Sequence, residues 1–226
     1  MAAREHARSS AVEDYCKAIF TLEARSEEPV STNALAERLG ITPGSVSAML
    51  KRLGEMGLIE HHPYRGVRLT AAGRSVALEV IRHHRLIELF LSEALEMPWD
   101  RVHEEAEVLE HVLSEELEEL IARKLGDPTH DPHGDLIPTR ELRIEEGQTS
   151  SMQSLEPGAR GTFVRISDSD PEMLRYLAGQ GIAPGDDFEI VDKQPFDGPI
   201  SARFTGGVHV LGGALARAMR AEVAGE

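Results

Sequence analysis

The sequence predicts a mainly α-helical fold with small β parts, consisting of an N-terminal winged helix-turn-helix, a helical middle region and a C-terminal small β-barrel. Apolar residues recur at three- and four-residue steps over most of residues 11–125, which is typical of amphipathic helices. A glycine-containing turn separates two short helical segments near residue 40. After Gly158, short alternating apolar runs are divided by turn residues. We therefore expect domains at 1–73, 74–149 and 150–226.

The winged helix-turn-helix is predicted from helix-capping and turn residues. Ser31 is a suitable N-cap for a short helix that ends at Gly40. Thr42 can cap the next helix, with Pro43 at its first position, where the missing N–H costs nothing. Residues 58–69 then have the pattern of a strand, a turn and a second strand, which predicts the wing.

The middle region is predicted to be helical and to end in a loop. We expect a long helix over 70–95, a second helix over 100–113 and a third that ends at Gly126. The following loop, DPTHDPHGDLIP, contains His130 and His133, for which we expect structural or adventitious roles and no metal.

Composition excludes several classes of protein. The net charge is −15, but the first 75 residues hold 10 Lys and Arg against 9 Asp and Glu, and the remainder holds 14 against 30. The N-terminal segment therefore lacks the acidic excess that would repel DNA phosphates. No apolar run approaches the length of a transmembrane helix, and the N-terminus lacks the apolar part of a secretory signal. With Cys16 as its single cysteine, the chain is expected to be cytoplasmic and to have no membrane partner.

Two predicted helices carry imidazole and carboxylate side chains at helical spacing. These residues are His84, Glu88, His103, Glu107, Glu110 and His111. On adjacent helices they could gather six nitrogen and oxygen ligands, a set without thiolate that suits Mn(II), Fe(II), Mg(II) or Zn(II). The alternative is an ordinary solvated face of an acidic helix.

The order of these motifs resembles a known family. The motifs E-D-Y, RHHRLIELFL, VHEEAEVLEH and DPHGDLIP, with the winged helix-turn-helix and the small β domain, are similar to those of three-domain members of the diphtheria toxin repressor family of iron- and manganese-dependent regulators. The resemblance extends from about Ser10 through nearly the whole chain. It implies a transcriptional repressor, not an enzyme, that controls metal homeostasis genes, binds palindromic operator DNA as a homodimer when loaded with metal, and has a FeoA-like β-barrel as its third domain.

The resemblance also implies two metal sites. The primary, activating site falls on Asp14, Glu107, Glu110 and His111. The ancillary site falls on His84, Glu88 and His103, completed by Asp168 or Asp170. Asp14 and Glu107 stand where the iron regulators have methionine and cysteine, and this exchange of sulfur for oxygen favours Mn(II). Fe(II), Co(II), Zn(II) and Cd(II) are the alternatives.

One position departs from the pattern of the shorter, two-domain manganese regulators. These carry a glutamate three residues after the first-helix aspartate, where this chain has Lys17. A lysine disfavours a closely spaced metal pair, so we expect two separated sites.

The expected DNA contacts lie on the second helix of the helix-turn-helix and on the wing. They are Thr42, Pro43, Ser45, Ser47, Lys51 and Arg65. Direct base readout is expected to be modest, because this helix lacks a bidentate Arg or Gln near its start.

The apolar residues Val80, Ile87 and Phe90 could form either a dimer interface or the core of the chain.

Two other functions are consistent with parts of the sequence. A dinuclear metallohydrolase could use the histidine and glutamate residues to activate water, but it would leave the winged helix-turn-helix unexplained. A winged-helix regulator could instead sense a small organic ligand. We expect no small organic substrate. Operator binding that depends on metal would separate the three functions.

Overall fold

The computed structural model describes residues 9–24, 26, 28–62, 65–144, 147–167 and 170–223. The chain divides into two compact units. The first unit contains the described residues up to His83, together with 110–113 and 138–143, and the second contains the other described residues. The predicted domain limits near residues 73 and 149 stay a prediction.

The first unit contains a winged helix-turn-helix. Its elements are α1 (Ser10–Glu23), α2 (Thr32–Leu39), α3 (Pro43–Glu55), β1 (Ile59–His62) and β2 (Gly66–Leu69). The capping prediction is confirmed, since the Ser31 side chain accepts a hydrogen bond from the N–H of Ala34 and that of Thr42 accepts one from Ser45. The two strands pair antiparallel. One apolar core, which includes Val12, Leu35 and Leu53, joins all three helices to the wing.

Three further helices follow. They are α4 (Ala71–Leu95), α5 (Val102–Leu109) and α6 (Glu115–Lys124). Helix α5 is shorter than the predicted 100–113 and ends before Glu110. Ser114, which caps α6 with an extended backbone and accepts from the N–H of Leu117, sets the limit beyond which α5 could not continue. No helix among the described residues is long and apolar enough to cross a membrane.

The C-terminal part of the second unit is an antiparallel sheet with short helices. Its elements are β3 (Ser150–Ser151), β4 (Arg160–Ile166), α7 (Pro171–Gln180), β5 (Asp187–Lys193), β6 (Ile200–Phe204), β7 (Gly207–Leu211), α8 (Gly213–Ala218) and β8 (Met219–Val223). The strand order is β3-β8-β4-β5-β6-β7. A separate apolar core around Phe163, Leu177 and Ile200 holds the sheet to its helices. The predicted small β domain is confirmed, but α8 and β8 were not predicted.

Candidate metal sites and DNA-binding surface

Three ligand-type side chains meet in the first unit, and we call them the Asp14 cluster: Asp14, Glu110 and His111. One donor atom from each lies within 4.8 Å of the others. The His111 Nε2 atom lies 3.0 Å from an Asp14 carboxylate oxygen and 3.6 Å from a Glu110 oxygen. Asp14 comes from α1, and the other two come from the turn after α5. Three of the four predicted primary ligands are therefore neighbours.

Glu13 orients the imidazole of this cluster. Its carboxylate lies 2.6 Å from the Nδ1 atom of His111. An Nδ1–H that donates to Glu13 leaves the Nε2 lone pair facing Asp14 and Glu110, which is the tautomer a metal-ligating histidine needs. Glu13 was not predicted from the sequence, because consecutive residues on a helix point in different directions. The carboxylates of Glu13 and Asp14 nevertheless contact opposite nitrogens of the His111 ring.

Glu110 is the buried member of the Asp14 cluster, and Lys17 contacts it. The Lys17 ammonium lies 3.0 Å and 2.8 Å from the two carboxylate oxygens. The Glu110 side chain is completely buried, and its backbone carbonyl lies 3.1 Å from the Nδ1 atom of His83. A lysine at this position therefore lies within the cluster and does not point away into solvent.

A second group, the His84 cluster, consists of His84, Glu88 and His103. The His84 Nε2 atom lies 3.0 Å from Glu88 Oε1 and 3.1 Å from His103 Nδ1, and His103 Nδ1 lies 3.3 Å from the same Glu88 oxygen. Two donors bound at right angles to an ion about 2.1 Å away lie about 3.0 Å apart, so these three atoms fit a transition-metal ion. The structure brings together the three predicted ancillary residues.

Glu107 lies beside the His84 cluster. Its Oε1 atom is 3.7 Å from His84 Nδ1 and 3.8 Å from His103 Nε2. Its assignment to the primary site comes from the family resemblance and stays a prediction.

Glu88 also belongs to a third group, the His133 cluster, made of Glu88, Asp131 and His133, all buried. The Nδ1 atom of His133 lies 3.8 Å from Glu88 Oε2, and neither atom has a hydrogen-bond partner. The other ring nitrogen donates to the carbonyl of Trp99 at 2.8 Å, which leaves Nδ1 to face the carboxylate. A bound cation or an ordered water between these two buried atoms would satisfy both of them.

Burial and neighbouring charges shift the pKa values of this group. Burial alone would raise the pKa of Glu88, but contacts with His103, His133 and His84 hold it well below its usual range. Burial would lower the pKa of His133, and Glu88 outweighs that effect and raises it to about 9. Burial, assisted by nearby carboxylates, raises the pKa of Asp131 to about 8.

The loop that carries His133 is fixed by hydrogen bonds. The Oδ1 atom of Asp131 accepts from the N–H groups of His133 and Asp135, at 2.8 Å and 2.9 Å. The N–H of Ile166 on β4 donates to the carbonyl of His133 at 2.9 Å. No metal role was predicted for His133, since a Pro/Gly-rich loop is usually exposed. His130 in the same loop is exposed.

The predicted β-domain ligands are Asp168 and Asp170. Asp168 lies outside the described residues. Asp170 caps α7, where its side chain accepts from the N–H groups of Glu172 and Met173. Among the residues that the structure describes, no group of close metal-ligand atoms includes Asp170.

The predicted DNA contacts are exposed. They are Thr42, Pro43, Ser45, Ser47, Lys51 and Arg65. Some of their hydroxyl groups already make local hydrogen bonds: Thr42 and Ser45 contact each other at 3.0 Å, and Ser47 donates to the Pro43 carbonyl at 2.9 Å. These bonds stiffen the start of α3, and the exposed faces remain able to approach a DNA backbone.

The apolar residues considered for a dimer interface are mostly internal. Val80 and Ile87 are buried within the chain itself, and Phe90 is half-buried. The interface interpretation is therefore wrong for the first two. Other large apolar side chains of the middle region are exposed, and those of the second unit include Leu95, Val108, Leu109, Leu117 and Leu120.

Comparison with known proteins gives three family matches. The N-terminal DNA binding domain of iron dependent repressors matches residues 9–67, and their metal binding and dimerisation domain matches residues 70–139. The FeoA domain matches residues 151–223.

Individual relatives match over nearly their whole length. The diphtheria toxin repressor of Corynebacterium efficiens is 30% identical over 220 residues, covering 93% of this chain and 94% of that protein. A solved manganese-dependent transcriptional repressor in complex with manganese is 39% identical, with a TM-score of 0.86, covering 94% of this chain and 100% of the other. The structure of ScaR with bound Zn2+ is 28% identical, with a TM-score of 0.77, covering 93% of this chain and 98% of the other.

Proposed function

Because the chain belongs to the diphtheria toxin repressor family of metal-dependent transcriptional repressors, we propose that it binds operator DNA as a homodimer when loaded with Mn(II). The observation that carries the proposal is the Asp14 cluster. Its carboxylates and its imidazole converge in the same unit as the winged helix-turn-helix. Neighbouring carboxylates repel one another unless a cation neutralises them.

The donor set supports Mn(II) as the metal. The clusters offer oxygen and imidazole nitrogen, and thiolate, which favours softer ions, is missing from all of them. One of the similar solved repressors is in complex with manganese, while ScaR has bound Zn2+. Since Zn(II) binds such ligands more tightly than Mn(II) in general, selectivity for Mn(II) has to come from geometry and availability.

The Asp14 cluster is the primary, activating site in this proposal, with Glu107 as the fourth ligand implied by the resemblance. A bound metal supplies positive charge that neutralises Asp14 and Glu110. Asp14 lies on α1, whose Val12 and Ile19 belong to the same core as Val46 of α3. A metal that fixes Asp14 therefore acts on the helix that packs in one core with the DNA-reading helix, and through this core metal binding and DNA binding would favour each other.

Glu88 connects the proposed ancillary sites. Its Oε1 atom faces His84 and His103, and its Oε2 atom faces His133. We assign ancillary metal binding to the His84 cluster, and the Nδ1 atom of His133, once it has lost its proton, supports the His133 cluster as an adjoining position for a cation. One carboxylate would then serve both positions.

The exposed face of α3 and Arg65 on the wing would contact DNA. Lysine and arginine reach phosphates, and the hydroxyls reach phosphates or base edges. The exposed leucines and valine of the middle region support a dimer. Large apolar side chains that are exposed in a single chain are usually buried by a partner chain in the functional oligomer. A dimer presents two recognition helices to a palindromic operator.

The test uses DNA fragments that the Mn(II)-loaded protein selects from a random pool. Binding is measured by fluorescence anisotropy with Mn(II), Fe(II), Co(II), Zn(II) or chelator, for wild type and for Asp14→Asn. Glu37→Gln, an exposed carboxylate on α2, is the matched control. We expect metal-dependent binding that Asp14→Asn loses and Glu37→Gln keeps. Equal binding in chelator would contradict the proposal, and a preference for Fe(II) at matched free concentration would refute the Mn(II) assignment alone.

A further inference from the structure

The Lys17 side chain places a positive charge beside the Asp14 cluster. The Lys17 ammonium contacts both oxygens of Glu110, at 3.0 Å and 2.8 Å, and therefore lies where a metal chelated by that carboxylate would lie. We propose that Lys17 is an internal competitor of the metal: it neutralises Glu110 in the metal-free protein and must leave this carboxylate before a divalent cation binds. This inference rests on the proposed function of the cluster.

The position of Lys17 follows from the register of α1. Asp14 and Lys17 are three residues apart, so they project from the same face of the helix. The His111 imidazole is adjacent, with Nε2 lying 3.6 Å from Glu110 Oε1 and Nδ1 held by Glu13. Lys17 is therefore directed into the group of donor atoms that would bind the metal.

Burial explains why Glu110 needs a cation when no metal is bound. Its side chain is fully shielded from solvent, and an ionised carboxylate in that environment is strongly destabilised unless it is paired. Lys17 supplies the pairing charge through two charge-assisted hydrogen bonds. The metal-free form is thereby stabilised relative to the same protein with an unpaired Glu110.

The Lys17 side chain can move away from Glu110. Its side chain is 18% exposed, and a lysine has a long flexible stem whose charged end can move to water. An ammonium group and a divalent ion repel strongly at contact distance, so both cannot remain on one carboxylate. The free energy of breaking the Lys17–Glu110 pair is subtracted from metal binding, and this sets a higher metal concentration for activation.

The experiment compares Mn(II) binding to wild type, Lys17→Met and Lys17→Gln, by calorimetry and by electron paramagnetic resonance of free Mn(II). Lys193→Met is the control, since Lys193 forms a lysine–glutamate bridge with Glu156 in the β domain. We expect the Lys17 variants to bind Mn(II) about tenfold more tightly at the Asp14 cluster, the effect of losing one charge-assisted pair. We also expect the metal-free variants to unfold at a lower temperature. The control should bind like wild type.

Two further measurements separate competition from a general field effect. Lys17→Arg keeps the charge and should keep the weaker, wild-type affinity. The gain for Lys17→Met should persist in 0.5 M KCl, on the order of a salt concentration that screens charges beyond a few ångströms.

Unchanged or weaker Mn(II) binding by both neutral variants would overturn the role of Lys17 while leaving the proposed function intact. A gain that disappears in high salt would also overturn it. If neither the wild type nor any variant bound Mn(II) at this cluster, the proposed function would fail as well.

Discussion

Replacing Gly134 by alanine tests whether the β domain holds the loop that carries His133. Gly134 has a φ of +86°, and a Cβ atom there would lie 1.8 Å from the carbonyl oxygen of Val164 on β4. This oxygen belongs to the backbone, which cannot move aside as a flexible side chain can. The loop that carries Gly134 would therefore have to move away from β4. That movement would break the hydrogen bond from Ile166 to the carbonyl of His133, 2.9 Å long.

Gly126 provides the matched control. It has a similar φ of +78°, but a Cβ atom there would meet nothing within 4 Å. Gly126→Ala therefore carries only the left-handed backbone penalty, about 1 kcal/mol. Gly134→Ala adds overpacking and lost hydrogen bonds, for a total of about 3 kcal/mol or more.

Urea denaturation of the metal-free protein measures both changes as losses in the free energy of unfolding. Metal stoichiometry measured by mass spectrometry should also fall for Gly134→Ala, because its loop carries Asp131 and His133. Equal destabilisation by the two substitutions would refute the close contact with β4. A large difference in stability with unchanged stoichiometry would contradict the metal role of the loop.

Three other substitutions test separate parts of the proposal. Val108→Glu should convert the proposed dimer to monomers in analytical ultracentrifugation, because this side chain is 70% exposed in the single chain. Val208→Glu on β7 should not. A dimer that persists in Val108→Glu would rule out Val108 as an interface residue. Lys51→Gln should weaken DNA binding uniformly across sequences. It should also reduce the slope of the logarithm of the DNA-binding constant against the logarithm of salt concentration by about 1. An unchanged slope would mean that Lys51 does not contact phosphate. Glu88→Gln should weaken cation binding at both the His84 cluster and the His133 cluster, whereas His103→Ala should weaken it at the His84 cluster alone. A Co(II) absorbance titration counts the sites that are lost. Equal losses in the two variants would argue against a shared carboxylate.

The winged helix-turn-helix and the closeness of His84 to Glu88 could be predicted from the sequence because their signals are local. Ser31 and Thr42 cap helices through bonds to residues three positions later. His84 and Glu88 are one turn apart on α4, which fixes their shared face without knowledge of the rest of the fold.

The parts that could not be predicted depend on contacts between distant segments. His133 is buried because Asp131 closes a turn around its own loop and β4 hydrogen-bonds to that loop. Lys17 and Glu110 are 93 residues apart, so only the tertiary fold brings them together. The end of α5 before Glu110 was missed because the helical spacing of Glu107, Glu110 and His111 continues past Leu109, where the helix ends.

Anomalous diffraction at the manganese edge, from crystals grown with Mn(II), is the most direct measurement of the central claim. We predict a manganese peak within bonding distance of Asp14, Glu110 and His111, with the Lys17 ammonium displaced from Glu110. Manganese elsewhere in the molecule, with Asp14 turned away from Glu110 and His111 and no peak among them, would contradict the claim.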